Sequence, residues 1–158
     1  MEDFVIREAR PEDLEAIADI TYRGWDGVTI GEALENRHGK LGGKTWRERK
    51  RDEITADFKR RPHEFFVAEV NGRVVGYASY WYEEERRLGH VGNNCVDPHF
   101  RGRGIGTALI GRVIQQLKKL GATVAMVTTL EHDLPARRVY EKHGFKLLLK
   151  SVFYSMDL

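Results

Sequence analysis

The chain has 158 residues, a length that suits one domain. Hydrophobic residues make up 41% and charged residues 32%, a globular composition that excludes a disordered chain. The formal net charge is only +2, which gives no support for a strong polyanion binder. Cys95 is the single cysteine, which excludes an internal disulfide and a cysteine-based zinc site.

The charge is distributed unevenly along the chain. Residues 37–61 contain ten Lys and Arg against four Asp and Glu, whereas the remainder contains 16 against 20. A solvated helix face with i,i+4 ion pairs accounts for this basic segment. The segment also suits an acidic acceptor or phosphate contacts with nucleic acid, although no RNA-binding motif accompanies it. We therefore expect nucleic acid to be an unlikely partner.

The N-terminal region predicts a cytoplasmic protein without a membrane partner. The first residues are acidic and lack an apolar signal core. No apolar run approaches the ~18 residues that a membrane span needs. A single cysteine fits a reducing compartment.

The first elements in chain order are a short strand over residues 4–7 and a helix that starts near Pro11. Its inward stripe, at i, i+3, i+4 and i+7, comprises Leu14, Ile17, Ala18 and Thr21. Residues 24–43 hold six glycines and predict a loop with a short helix near residues 32–36. Residues 44–61 predict a helix that Pro62 ends, with Trp46, Ile54 and Phe58 facing inward.

Two β-rich runs, residues 64–70 and 73–82, flank Asn71-Gly72 and predict a hairpin with a type I′ turn. The elements predicted after it are a strand over 90–96, a helix over 104–120, a strand over 122–129, a helix over 134–143 and strands over 145–149 and 152–156. The strand over 122–129 is apolar on both faces, which predicts a central position. The order β-α-α-β-β-β-α-β-α-β-β indicates an α/β domain with a mixed sheet.

The turn before the helix at 104–120 is the most informative segment. Gly102, Gly104 and Gly106 stand at every second position between a strand and a helix. Glycine permits positive φ and close approach of a ligand, so successive N–H groups can converge at the helix N-terminus. Arg101 and Arg103 add positive charge, and the Thr107 hydroxyl can donate to a phosphate oxygen. The turn therefore predicts a phosphate site. Its glycine spacing matches neither a Walker A loop nor a dinucleotide-binding fold.

Two motifs resemble the GNAT superfamily of acyl-CoA-dependent N-acetyltransferases. The acetyl-CoA motif Arg/Gln-x-x-Gly-x-Gly/Ala is matched by residues 101–106, after the lead-in Val96-Asp97-Pro98. The later motif is matched by Ala136, Tyr140 and Gly144-Phe145. The resemblance is strong over about residues 64–158. It implies one N-acetyltransferase domain over 1–158, a centrally splayed sheet flanked by helices, and a variable acceptor-side region over residues 23–61.

The resemblance also implies acetyl-CoA as cosubstrate and no metal. The backbone of residues 94–96 would hold the pantetheine arm like an added strand, and the N–H groups of 101–106 would hold the pyrophosphate. The full set expected to bind the cofactor is Asn94, Cys95, Val96, Arg101, Gly102, Arg103, Gly104, Ile105, Gly106, Thr107, Asp133 and Ala136. Asp133 stands where many relatives have Asn, and it can also cap the following helix.

In this family a primary amine attacks the thioester directly, so the enzyme needs no nucleophile and Cys95 is expected to be a packed residue. Tyr140 matches the position of the general acid, with packing as its alternative role. His90 and His132 are candidates for the general base because histidine titrates in the useful range. The other candidates are Glu83, Glu84, Glu131 and a water chain without a dedicated base.

The acceptor region is expected to involve Trp25, Asp26, Trp81 and Tyr82, with Tyr22, Glu32 and Trp46 nearby. The sequence thus predicts acetylation of a primary amine on a small molecule or protein. Two alternatives stay open: a non-catalytic acyl-CoA sensor on the same fold, and nucleic-acid binding through residues 37–61. The C-terminal strands can form a sheet edge, which suits a homodimer.

Overall fold

The computed structural model describes residues 3–158. Its strands are β1 (Val5–Glu8), β2 (Phe65–Val70), β3 (Arg73–Glu83), β4 (Leu88–Val96) and β5 (Val124–Met126). Its helices are α1 (Leu14–Gly24), α2 (Ile30–His38), α3 (Trp46–Arg60), α4 (Ile105–Leu120) and α5 (Leu134–Lys142). The strands form one sheet in sequence order, antiparallel except for the parallel pair β4 and β5. The predicted α/β fold with a mixed sheet is confirmed.

Helices cover both faces of this sheet. On one face, α4 contributes a stripe of fully buried side chains that repeats every four residues: Ile105, Leu109, Val113 and Leu117. On the other face, α1 and α3 pack Ile17, Ile54 and Phe58 against Phe65 and Tyr77 of the sheet. The amphipathic periodicity of each helix therefore matches one of two separate cores.

The hairpin between β2 and β3 has the predicted turn. Asn71 and Gly72 have φ values of 49° and 80°, the left-handed conformation that a type I′ turn requires at both central residues. The short helix expected near residues 32–36 extends over Ile30–His38, because the Thr29 side chain accepts the Glu32 N–H and caps its first turn.

Two predictions about the sheet are wrong. Within the described residues, 145–149 and 152–156 form no strand, although both segments are rich in β-forming side chains. A strand needs a hydrogen-bonding neighbour as well as propensity, and neither segment has one. The strand expected to be central is the short edge strand β5, whose Val124 side chain is 61% exposed. The apolar residues on both faces of this segment therefore belong to an exposed edge strand and not to a central strand.

Asp97, directly after β4, joins elements that are far apart in the sequence. Its side chain is fully buried and lies 3.2 Å from Arg23 of α1 and 3.0 Å from Arg73 of β3. It also accepts the His99 N–H at 3.0 Å. Burial by itself would raise the pKa of Asp97, but the His99 bond and the Arg23 charge hold it below the ordinary value. Asp97 therefore anchors the segment that leads into α4.

We expect Asp97→Asn to lower the free energy of unfolding by about 2 kcal/mol, below the range for a fully buried pair because both arginines are partly exposed. Because folding lowers the pKa of Asp97, its stabilisation is complete above about pH 5. It is lost progressively as pH falls from the unfolded carboxyl pKa of about 3.9 through the lower pKa of the folded state. Urea unfolding at several pH values measures this difference.

Asp19→Asn is the matched control, because Asp19 pairs with the same Arg23 but its side chain is 61% exposed. Asp19→Asn should lower the free energy of unfolding by less than about 0.5 kcal/mol. Equal effects of the two variants would contradict the anchoring role of Asp97.

Candidate active site

A cleft opens where β4 and β5 part. The two strands pair at only three positions, the last being His90 opposite Met126, while β4 continues for six further residues to Val96. Beyond His90, no strand among residues 3–158 lies beside the β5-facing backbone edge of β4. The cleft has a volume of about 1120 Å³, and its walls come from β4, the loop after β5, α5 and the N-terminus of α4.

A β-bulge lies in the open part of β4. Ala78 pairs with Asn94 and Tyr80 with Val91, so Gly92 and Asn93 together face Ser79. The Ser79 hydroxyl donates to the Asn93 carbonyl at 3.2 Å. A Cβ atom at Gly92 would lie 2.3 Å from the Ser79 hydroxyl oxygen, which is why this position needs glycine.

The bulge directs two neighbouring amides to opposite sides of the sheet. Asn93 accepts a hydrogen bond from Lys50 of α3 at 2.9 Å, and Asn94 donates one to Tyr140 of α5 at 3.1 Å. The open part of β4 is therefore connected to a helix on each face.

The glycine turn leaves the N-terminus of α4 open to the cleft. Gly102 and Gly104 have φ values of 77° and 80°, and a Cβ atom at either would have no heavy atom within 4 Å. Glycine is favoured at both positions because the backbone is left-handed, and not because a side chain would lack space. Gly104 caps the helix without a side chain, so no side-chain cap satisfies the first-turn N–H groups. Free N–H groups and the positive end of the helix dipole make this an anion site.

The two arginines of the turn have other contacts. Arg101 donates to the carbonyls of Gly24 and Val96, at the ends of α1 and β4. Arg103 donates to the His99 carbonyl and packs its guanidinium 4.9 Å from the centre of the Phe100 ring. Arg101 lines the cleft, whereas Arg103 is not among the lining residues.

Tyr140 reaches the cleft from α5 and is only 7% exposed. Its hydroxyl oxygen accepts the Asn94 amide N–H, so the phenolic proton is available to a group in the cleft. Burial raises the pKa of Tyr140 above its ordinary value of 10, although the Asn94 hydrogen bond opposes this. The phenol is therefore protonated at neutral pH.

His90 lies at the point where the strands part. Its imidazole stacks on the Trp81 ring, with 4.5 Å between ring centres, and its Nε2 is hydrogen-bonded to Glu83. The His90 bond lowers the pKa of Glu83, so that carboxyl is ionised at neutral pH. His132 also lines the cleft, but from the exposed loop after β5, where its Nε2 donates to the Gly27 carbonyl.

Cys95 is a packed residue in this structure. Its side chain is buried against α1, where a Cβ atom at Gly24 would lie 2.3 Å from the sulfur. Burial raises the pKa of the thiol to about 11. A thiol in this environment is a poor nucleophile near neutral pH.

Aromatic side chains form the wall on the side of α1, α2 and α3: Trp25, Trp46 and Trp81. Asp26 also lines the cleft, but its carboxylate is paired with Arg47. Tyr82 is not among the lining residues, because it packs against the core with its hydroxyl near Gly121.

Lys50 is a cleft residue that the sequence patterns did not single out. Its side chain is 15% exposed, and its ammonium lies 2.9 Å from Glu53 and 4.4 Å from the centre of the Trp25 ring. It stands between Trp46 and Ile54 at four-residue spacing, so it lies on the inward stripe of α3. A lysine on an otherwise apolar helix stripe is the sequence feature from which this cleft residue could have been predicted.

Most of the predicted site residues lie around this one cleft. Those that line it are Trp25, Asp26, Trp81, His90, Asn94, Cys95, Val96, Arg101, Gly102, Gly104, Ile105, Gly106, Thr107, His132, Asp133, Ala136 and Tyr140. Asp133 caps α5 through the Ala136 N–H. Among residues 3–158, no group of His, Cys, Asp or Glu is arranged to hold a metal ion. No helix in that range is both long and apolar enough to cross a membrane.

The fold and this cleft define an acyltransferase domain, and comparison with known proteins gives its family. The model of the acetyltransferase (GNAT) family matches residues 30–145. The chain therefore belongs to the GNAT acetyltransferase family, which confirms the resemblance inferred from the two sequence motifs.

Two curated relatives illustrate the similarity. The chain is 39% identical over 93 residues to an uncharacterized N-acetyltransferase, MJ1207, from Methanocaldococcus jannaschii, covering 56% of this chain and 41% of that protein. It thus spans less than half the length of that relative. It is 29% identical over 151 residues to the L-amino acid N-acetyltransferase AaaT of Escherichia coli, covering 93% of this chain and 85% of AaaT.

Solved structures share the fold. PH1933 from Pyrococcus horikoshii superposes with a TM-score of 0.73 at 27% identity, covering 95% of this chain and 93% of that chain. A GNAT family acetyltransferase from Brucella melitensis, solved in complex with acetyl-CoA, superposes with a TM-score of 0.64 at 21% identity, covering 93% and 85%.

We expect Cys95 to react with Ellman's reagent at pH 8 at least ~100-fold more slowly in the folded protein than in guanidinium. A pKa of about 11 leaves few thiolates at that pH, and burial limits access. Since Cys95 is the only thiol, the absorbance change reports this site alone. Equal rates in the folded and unfolded protein would contradict the packed arrangement.

Proposed function

We propose that this domain transfers the acetyl group of acetyl-CoA to a primary amine by direct attack. The observation that carries this proposal is the Asn94–Tyr140 hydrogen bond beside the open edge of β4. It puts a protonated phenol next to a backbone edge that can bind an extended ligand. The uncapped N-terminus of α4 belongs to the same cleft and supplies an anion site.

Two groups of hydrogen-bonding residues in the cleft suit two different parts of acetyl-CoA. The backbone of residues 92–96 offers unpaired strand groups to the amide-containing pantetheine arm, as in strand addition. The N–H groups around Gly104 and Gly106 suit a pyrophosphate. Arg101 lines the cleft beside that site. The cosubstrate supplies an acetyl group already activated as a thioester.

In the proposed reaction, the acceptor nitrogen forms a bond to the thioester carbonyl carbon and the carbon–sulfur bond breaks. Tyr140 donates its proton to the departing sulfur, because Asn94 occupies the oxygen and leaves the proton free. His90 takes the proton lost by the amine, with Glu83 orienting its ring. We prefer His90 to His132 because His90 is buried beside the open edge of β4, whereas His132 is exposed.

Two alternative functions receive less support. A non-catalytic acyl-CoA sensor has no need of a buried phenol with a free proton. Nucleic-acid binding through residues 37–61 is disfavoured because much of the basic charge is paired with carboxylates: Lys44 with Asp52, Arg47 with Asp26, Lys50 with Glu53, Arg51 with Glu15, and Arg60 and Arg61 with Asp57. The cytoplasmic location stays a prediction.

We further propose that the acceptor is a small amine with an anionic group, as in an amino acid. Lys50 supplies a mostly buried ammonium beside Asn93, next along β4 to the Asn94–Tyr140 pair. Its partner Glu53 is 57% exposed and can be replaced by an acceptor carboxylate. AaaT, a relative that aligns with 93% of this chain, is an L-amino acid N-acetyltransferase by name, which agrees with this class of acceptor.

Tyr140→Phe should lower kcat by about 100-fold or more while changing the Kd for acetyl-CoA less than threefold, since only a proton donor is removed. Calorimetry gives the Kd, and release of free CoA gives kcat. Because the pKa of Tyr140 is raised, the phenol should stay protonated up to about pH 10. Below that pH, deprotonation of Tyr140 should therefore not lower the wild-type kcat.

Tyr82→Phe is the control, because Tyr82 lies outside the cleft, and its kinetics should stay within twofold of wild type. Unchanged kcat in Tyr140→Phe would refute the proton-donor role. Absence of acetyl-CoA binding at millimolar concentration would refute the proposed function itself.

For the acceptor, we expect an L-amino acid to be acetylated with at least tenfold higher kcat/KM than the amine that lacks its carboxylate. Lys50→Ala should raise the amino-acid KM about tenfold or more, the loss of one charged hydrogen bond, without changing the acetyl-CoA KM. Lys59→Ala, on the exposed part of the same helix, is the control. Equal use of both amines, or an unchanged KM in Lys50→Ala, would contradict an anionic acceptor.

A further inference from the structure

Lys50 places a primary amine inside the cleft. Among residues 3–158, the lysines that line the cleft are Lys44 and Lys50. The Lys44 side chain is 57% exposed and its ammonium pairs with Asp52, whereas the Lys50 side chain is only 15% exposed. Lys50 is therefore the lysine whose amine is held within the cleft and largely withdrawn from solvent.

The Lys50 amine lies close to the proposed reaction centre. Its Nζ donates to the Asn93 side-chain oxygen at 2.9 Å, and the next residue, Asn94, donates to the Tyr140 hydroxyl at 3.1 Å. Both asparagines belong to the open part of β4, along which the thioester arm of acetyl-CoA is proposed to bind. Lys50 and Tyr140 both line the cleft, so the amine and the proposed proton donor share one cavity.

The contacts of Lys50 permit it to lose its positive charge in place. A neutral amine keeps two N–H groups, so it can still donate to Asn93 and lie against Trp25, whose ring centre is 4.4 Å from Nζ. The contact that depends most on charge is the ion pair with Glu53, which is 57% exposed and can bind water instead. An amine held near a bound thioester has a much higher effective concentration than an amine in solution.

We propose that the domain acetylates its own Lys50 when acetyl-CoA is bound and no acceptor is present. This modification rests on the acetyl transfer proposed above and adds a form of regulation to the same cleft. Lys50 takes the place of the acceptor amine, and the residues that assist the transfer are the same.

The reaction converts the Lys50 ammonium into an acetamide. The ammonium first releases one proton to solvent. Its nitrogen then forms a bond to the thioester carbonyl carbon as the carbon–sulfur bond breaks, while a second nitrogen proton passes to His90 and the departing sulfur takes the proton of Tyr140. Proton exchange from His90 to Tyr140 through water restores both residues. The products are acetylated Lys50, CoA as the free thiol and one proton in solvent.

Acetylation removes the charge that the proposed acceptor needs. Acetylated Lys50 keeps one N–H at Nζ, which can still donate to Asn93, and its methyl group suits the aromatic wall that includes Trp25 and Trp46. It has no positive charge, so the carboxylate of an amino-acid acceptor loses its partner. The domain therefore inactivates itself when acetyl-CoA is plentiful and the acceptor is scarce, and a bound acceptor protects Lys50.

The test is incubation of the full chain with acetyl-CoA alone at neutral pH, followed by peptide mass mapping. Lys50 should gain one acetyl group at least ~20-fold faster than Lys59, an exposed lysine on the same helix that reacts only from solution. The initial rate per chain should not change when the protein is diluted, because the reaction occurs within one molecule. A saturating L-amino acid should slow the modification at least ~10-fold by competing for the same position.

Two variants separate catalysed from purely chemical acetylation. Tyr140→Phe should slow the modification of Lys50 at least ~10-fold without changing that of Lys59, since only the catalysed reaction needs the proton donor. Lys50→Gln resembles the acetylated residue because it is neutral, and it should raise the amino-acid KM about 10-fold, as full acetylation of the wild type should. Lys59→Gln is the control, and its kinetics should match those of the wild type.

Several outcomes would overturn this inference. If Lys50 stays unmodified in a preparation that acetylates an L-amino acid, self-acetylation is wrong and the proposed function stands. Modification of Lys50 at the rate of Lys59, at an equal rate in Tyr140→Phe, or at a rate that rises with protein concentration would also refute it. If Tyr140→Phe does not fold, the lack of protection by an L-amino acid in the unaltered chain refutes it. Failure to bind acetyl-CoA refutes both proposals.

Discussion

The arrangement of this molecule depends on how far β4 and β5 run together before they part. Three residue pairs hold the strands, and six residues of β4 then continue without a neighbour on that side. Backbone N–H and C=O groups at such an edge must bind water, a ligand or another chain. The cleft exists because the sheet leaves these groups unpaired inside the domain, where helices cover both faces.

Contacts on both faces of the sheet position the open part of β4. Asp97 ties the end of β4 to α1 and β3 through buried charge, which fixes the point from which the glycine turn starts. The bulge at Gly92 and Asn93 connects the same strand to α3 and α5. The proposed proton donor Tyr140 is hydrogen-bonded to Asn94, which directly follows this bulge and lies 46 residues earlier in the chain.

Charge has two different uses in the basic segment. Lys44, Arg51 and Arg60 form ion pairs at the surface, where each pair contributes little to stability. Lys50 differs because it lies on the inward stripe of α3 between two buried apolar residues. In the proposed function, this one mostly buried ammonium in the cleft matters more than the net charge of the whole segment.

Local chemistry by itself determined the hairpin at Asn71-Gly72, the helix α4 and the glycine turn. These three features depend on positive φ, on four-residue periodicity and on an uncapped helix start. Each is set by residues that are close together in the chain, so a sequence pattern reveals it. Only the tertiary structure decided that Arg101 binds carbonyls of α1 and β4, that Lys50 meets Asn93, that β5 is an edge and that residues 145–156 form no strand. Each of these outcomes depends on which distant segment lies alongside, and no local pattern encodes the neighbour that a strand or charge will find.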